Sequence, residues 1–86
     1  MVKKELTVRS HTGLLNRQAT LFVQKANEFE SVIHLERGSL RINAKSLLGV
    51  MCFEVRRGET IIITADGVDA ESAVNALEAF LLEDQY

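Results

Sequence analysis

The apolar residues of this chain change their spacing along its length, and that change constrains the fold more than any other feature. Over residues 2–9 they alternate, with Val2, Leu6 and Val8 on one side and Lys3, Glu5, Thr7 and Arg9 on the other, as in a strand with one buried and one wet face. Lys4 interrupts the apolar side. After a turn at His11-Thr12-Gly13 the spacing becomes helical over about 17–28, where Ala19, Phe22, Val23 and Ala26 fall at i, i+3, i+4 and i+7 and Asn16 is the N-cap candidate. Residues 31–36 return to a β-branched, apolar pattern. Arg37-Gly38-Ser39 then reads as a turn before Leu40, Ile42 and Ala44, which makes a hairpin.

A short helix is predicted over about 46–55, followed by a turn at Arg56-Arg57-Gly58-Glu59 and a strongly β-branched strand at residues 60–64, closed by Asp66-Gly67. Asp69, with Glu71 behind it, is placed to cap a last helix whose stripe is Ala70, Ala73, Val74, Leu77, Phe80 and Leu81. The order is βαββαβα. Strands with one wet face suit an antiparallel sheet covered on its other face only. The expected fold is therefore α+β, an open-faced β-sandwich with a four-stranded antiparallel sheet and three helices on one face. No repeat, proline or linker divides it, so residues 1–86 form one domain. The helix stripes are needed for the single core, and we assign Phe22, Val23, Val74, Leu77 and Phe80 to packing.

Charge and cysteine content remove several function classes. Twelve acidic and ten basic residues give a net charge of −2, with the basic residues scattered apart from Lys3-Lys4 and Arg56-Arg57. A direct nucleic-acid binder needs a basic stripe to neutralise phosphates. The lone Cys52 has no disulfide partner, the first residues lack the apolar run of a signal peptide, and no stretch approaches the ~18 apolar residues that cross a bilayer. A cytoplasmic protein without membrane attachment is expected. His34 stands between Ile33 and Leu35 and so points to the wet face, Cys52 reads as a small packing residue, and no metal-ligand set, phosphate loop or nucleophile elbow is present. Neither catalytic residues nor a cofactor is expected.

Two features remain. Ser46 stands at the predicted N-cap of the short helix, where an added phosphate would meet unpaired N–H groups and the positive end of the helix dipole. Behind it Leu47, Leu48, Val50 and Met51 exceed what so short a helix can bury, so some of them face outward. Arg17, at the head of the first helix, could hold an anion there.

Thr12-Gly13-Leu14 with Arg17 and Ala19, Val23-Gln24-Lys25-Ala26-Asn27, the run Asn43-Ala44-Lys45-Ser46-Leu47-Leu48-Gly49-Val50-Met51, and Ala73-Val74-Asn75-Ala76-Leu77 together resemble the HPr phosphocarrier family over essentially the whole chain. In that family a histidine at the head of the first helix carries a phosphoryl group along the sugar phosphotransferase chain. Here Leu15 stands at that position, and leucine has no lone pair with which to act as a nucleophile. Loss of the histidine with retention of the second signature is similar to the catabolite-repression HPr-like branch of the family, known as Crh.

The resemblance implies a non-enzymatic regulator of carbon catabolite repression, phosphorylated on Ser46 by HPr kinase/phosphorylase. The phosphorylated form would then act as corepressor for a LacI-type transcriptional regulator, the catabolite control regulator. It assigns partner contact to Arg17, Thr20, Lys45, Leu47, Leu48 and Met51, and implies no competence in sugar phosphotransferase relay. Gln18 replaces the family's proline, Asn16 an alanine, and Leu48 a common methionine. Two alternatives stand beside this reading, a diverged phosphocarrier using His11 and a binder of a metabolic enzyme that needs no phosphorylation. The strand at the N-terminus could be exchanged between copies, so a monomer or a weak homodimer is expected.

Overall fold

A computed structural model describes residues 1–9 and 17–82. Its elements are β1 (Val2–Thr7), α1 (Arg17–Ala26), β2 (Val32–Arg37), β3 (Leu40–Asn43), α2 (Leu47–Phe53), β4 (Thr60–Asp66) and α3 (Ala70–Leu82). The strands form one antiparallel sheet in the order β1-β4-β2-β3. The turn expected at His11-Thr12-Gly13 and the cap expected at Asn16 lie outside the described residues.

Register decides which residues meet the helices. Leu6 pairs with Ile61, Leu35 with Ile63 and Ile33 with Ala65, and all of these side chains are buried. Against them α1 packs Ala19, Phe22, Val23 and Ala26, α2 packs Val50 and Phe53, and α3 packs Ala70, Ala73, Val74, Leu77 and Leu81. The Phe80 ring meets Phe22 edge-on at 5.9 Å, the favoured arrangement of two ring quadrupoles. Each fully buried large side chain contributes about 1.5–3 kcal/mol relative to exposure. The helices thus share one core on one face of the sheet, the open-faced sandwich expected from the period change.

Several boundaries differ from the periodicity, each for a local reason. The first helix stops at Ala26, because Asn27 turns its side-chain amide onto the Val23 carbonyl (2.8 Å) and the next two amides bond three residues back. The short helix stops at Phe53, where Glu54 takes the left-handed conformation (φ 55°) that ends a helix but strains a side chain with a Cβ. The strand at 60–64 runs on to Asp66, paired with β1 as far as Ala65 and with β2 through Asp66. Lys4 sits on the helix-covered face opposite Ile63, and reaches past the sheet edge to Glu78 of α3 (2.9 Å). Its break in the alternation is thus an ion pair between layers.

Asp69 starts α3 through its backbone carbonyl, which accepts from the Ala73 amide (2.9 Å), while its side chain turns to another segment instead of capping the helix. Its carboxylate accepts hydrogen bonds from the Glu30 and Ser31 amides (2.9 and 3.0 Å) and from the Ser31 hydroxyl, tying the α1–β2 connection to the start of α3. The Ser31 hydroxyl, then the Glu30 amide, hold this carboxyl below its ordinary value of 3.8. A depressed carboxylate pKa supplies stability above the unfolded pKa, which is lost as pH falls through the folded one. Asp69→Asn should therefore melt several degrees lower at pH 7. The two melting curves should converge in acid below the carboxylate range; a constant difference from pH 7 to pH 2 would show that the charge of Asp69 is not what holds the connection.

Candidate partner-recognition site

The segment after β3 is built to present a serine. The Ala44 amide still bonds to Ile33 across the sheet (2.9 Å), and the Asn43 side chain accepts from the Lys45 amide (2.8 Å) while its carbonyl accepts from the Ser46 amide (3.1 Å). These bonds turn the chain out of the sheet and leave Ser46 extended (φ −100°, ψ 116°) at the N-cap of α2. Its hydroxyl oxygen accepts from the Gly49 amide (3.1 Å), and its carbonyl accepts from Val50 (3.0 Å). Gly49 keeps that hydroxyl open, since a Cβ there would stand 3.3 Å from the Ser46 Oγ. Ser46 is half-buried, and the Asn27 amide, bonded to the Lys45 carbonyl (3.2 Å), ties its start to the end of α1.

With Val50 and Phe53 turned inward, the other face of α2 is left to solvent. Leu48 is 74% exposed, Met51 49% and Leu47 40%, and their spacing places them side by side on the helix surface. Cys52 is also exposed, against the expectation of a packing residue, because Val50 and Phe53 already take the inner positions of these two turns. Arg17 and Thr20 stand one turn apart on the exposed side of α1, which packs against α2. Lys45 is half-buried and its ammonium donates to the Phe29 carbonyl (2.6 Å), so its first contact is internal. The position of Leu15 lies outside the described residues, as does His11.

His34 lies on the open sheet face, half-buried, with Arg41 Nη2 donating toward its Nδ1 (3.2 Å). Burial first, then the Arg41 guanidinium, hold the imidazole below its ordinary value of 6.5 against the pull of Glu36. Among the described residues no three His, Cys, Asp or Glu side chains are grouped to hold a metal ion, and no helix is long and apolar enough to cross a membrane.

The serine at a helix start and the apolar patch behind it stand on an antiparallel sheet of order β1-β4-β2-β3 with its helices on one face, a small open-faced sandwich. A family profile described as the PTS HPr component phosphorylation site matches residues 2–83, and the chain belongs to the HPr family. Within it, the chain is 43% identical over 81 residues to the HPr-like protein Crh of Halalkalibacterium halodurans, covering 94% of this chain and 96% of that one. Its fold superposes on the crystal structure of the phosphocarrier protein HPr of Bacillus anthracis with a TM-score of 0.89 and 42% identity, covering 93% and 95% of the two chains. The crystal structure of Bacillus subtilis Crh, described as a swapped, intertwined dimer, matches with a TM-score of 0.74 and 41% identity over 94% and 93%.

Proposed function

We propose that this protein is a non-enzymatic regulator of carbon catabolite repression that is switched by phosphorylation of Ser46. The observation that carries this reading is the half-buried serine hydroxyl at the N-cap of α2, directly beside the exposed Leu47, Leu48 and Met51. HPr kinase/phosphorylase transfers the γ-phosphoryl group of ATP to Ser46 Oγ, the hydroxyl proton is lost and ADP departs. The product carries a charge of about −2 at pH 7. Amides of the first turn of α2 stabilise it, and a LacI-type regulator reads it with arginine or lysine while the three apolar side chains supply contact area. Charge is the switch and apolar area the affinity.

Leu15 supports the second half of the reading, that the chain does not relay phosphate to sugars. With no imidazole at that position, the upstream phosphotransferase enzyme and phosphoenolpyruvate should leave no acid-labile phosphate on the chain. Self-association is weak in this reading, a monomer or weak homodimer formed through β1 at the sheet edge, and sedimentation at rising concentration reads it. The Bacillus subtilis Crh crystal structure supports the homodimer half.

The decisive experiment incubates the protein with HPr kinase and ATP, maps the product by mass spectrometry and titrates it with the regulator. Phosphate should appear on Ser46 alone. It should tighten binding by about 100-fold, the scale of one or two added hydrogen bonds between charged groups. Ser46→Ala should abolish both effects. No incorporation at Ser46, or a regulator that binds the unmodified chain equally well, would sink the proposal and favour phosphorylation-independent binding.

A further inference from the structure

A helix of seven residues cannot hold itself together, because the cost of forming its first turn is not recovered over so few hydrogen bonds. Something outside α2 must fix its orientation. Val50 and Phe53 anchor its inner face, and the Ser46 cap with the Asn27–Lys45 bond holds its start. The C-terminal end is held separately, from a distant strand.

Arg37 closes β2 on the helix-covered face of the sheet. Its guanidinium carbon lies 4.3 Å above the centre of the Phe53 ring, and its Nη2 donates to the Phe53 carbonyl (2.8 Å), one of the acceptors that a helix end leaves without an intrahelical partner. Its Nη1 meets Glu59 Oε2 (3.0 Å), and the other oxygen of Glu59 accepts from the Arg56 amide (2.8 Å). One side chain therefore joins β2, the last turn of α2 and the turn leading into β4. A cation at this end also opposes the negative pole of the helix dipole. The strained Glu54 next in sequence is what a helix end held from outside would tolerate.

We propose that Arg37 is the positioning residue of the recognition helix: its latch on Phe53 and Glu59 sets the orientation in which α2 presents Ser46, Leu47, Leu48 and Met51 to the regulator. The proposal deepens the reading of α2 given above and rests on it for the partner, but not for the latch. Lysine cannot replace the planar fork, because it offers a point charge without the stacked face.

Amide hydrogen exchange of the unmodified chain tests the latch without any partner. In Arg37→Met, which keeps an unbranched stem but no donors, the Val50–Phe53 amides should exchange about 10- to 100-fold faster, the scale of a lost hydrogen bond to a charged group. The β4 amides should accelerate by a much smaller factor. Arg37→Lys should fall between parent and Arg37→Met, and serves if the methionine variant is too unstable to study. The same rank order should appear in regulator binding by the Ser46-phosphorylated chains. Equal acceleration in α2 and β4 would mean that Arg37 serves global stability only, and no acceleration would mean that α2 is held without it; either overturns the latch. Faster exchange in α2, with a parent phosphoprotein that fails to bind the regulator, would instead count against the proposed function and leave the latch standing.

Discussion

Leu48→Glu should leave the melting temperature within about 2 °C of the parent and weaken binding of the Ser46-phosphorylated chain to its regulator by about 100-fold. The two halves of this expectation have separate causes. Leu48 is 74% exposed, so its loss removes little from the core, and surface substitutions of this kind usually move stability by about 0.5 kcal/mol or less. A carboxylate in the first turn of α2 also suits the positive end of the helix. At the interface the same carboxylate would be desolvated without a partner and would stand near the phosphate, a like charge. Loss of an apolar anchor in a contact centre costs about 2 kcal/mol or more, and an unpaired charge adds to it. Leu48→Met, which keeps the apolar area, should bind within a few-fold of the parent. Thermal melts and calorimetric titration of the three phosphoproteins measure both halves, and undiminished binding by Leu48→Glu would remove this face of α2 from the interface.

Gly67→Ala should cost the fold about 3 kcal/mol and lower its melting temperature by roughly 10 °C or more. Gly67 has φ 155°, which a residue with a Cβ adopts only under strain of about 1–3 kcal/mol. A Cβ there would also lie 2.6 Å from the Ser31 hydroxyl oxygen and 2.7 Å from its Cα, both far inside contact distance. The backbone cannot give way cheaply, since Ser31 is held by Asp69 on the same side. Gly38 makes the control: its φ is 60°, but a Cβ there meets nothing within 4 Å, so Gly38→Ala should cost only about 1 kcal/mol of backbone strain. Urea unfolding of the two variants separates overlap from strain. Equal losses would show that the contact between Gly67 and Ser31 relaxes freely.

What could be read in advance was whatever repeats along the chain. Ile33, Leu35, Ile61, Ile63 and the stripes of α1 and α3 declare themselves by spacing, and they set the element order and the buried face. That some of Leu47, Leu48, Val50 and Met51 face outward followed from counting apolar residues against the width of one helix face, while the choice of Leu47, Leu48 and Met51 came only from the family resemblance. The features missed are single side chains that act across the sequence. Asp69 reaches back to Glu30 and Ser31, Arg37 reaches forward to Phe53 and Glu59, Lys4 crosses to Glu78 and Lys45 turns inward to Phe29. None of these has a period, and each polar group finds its partner only after the sheet is assembled. Glu54 at the end of α2 is the same lesson in the backbone, because nothing in a glutamate announces a left-handed turn.

The sheet order also sets a schedule. β1 ends at Thr7, yet the strand beside it, β4, begins at Thr60, so β1 is synthesised well before its neighbour. At synthesis rates of about 5–20 residues per second, roughly 3–10 s pass between the appearance of β1 and that of its neighbour. Until then β1 has no β4 to pair with, and Lys3, Lys4 and Glu5 place three consecutive charges in the middle of it. Such charges oppose pairing with a stranger. Lys4, one of those charges, is matched by Glu78 only once α3 has packed against the sheet.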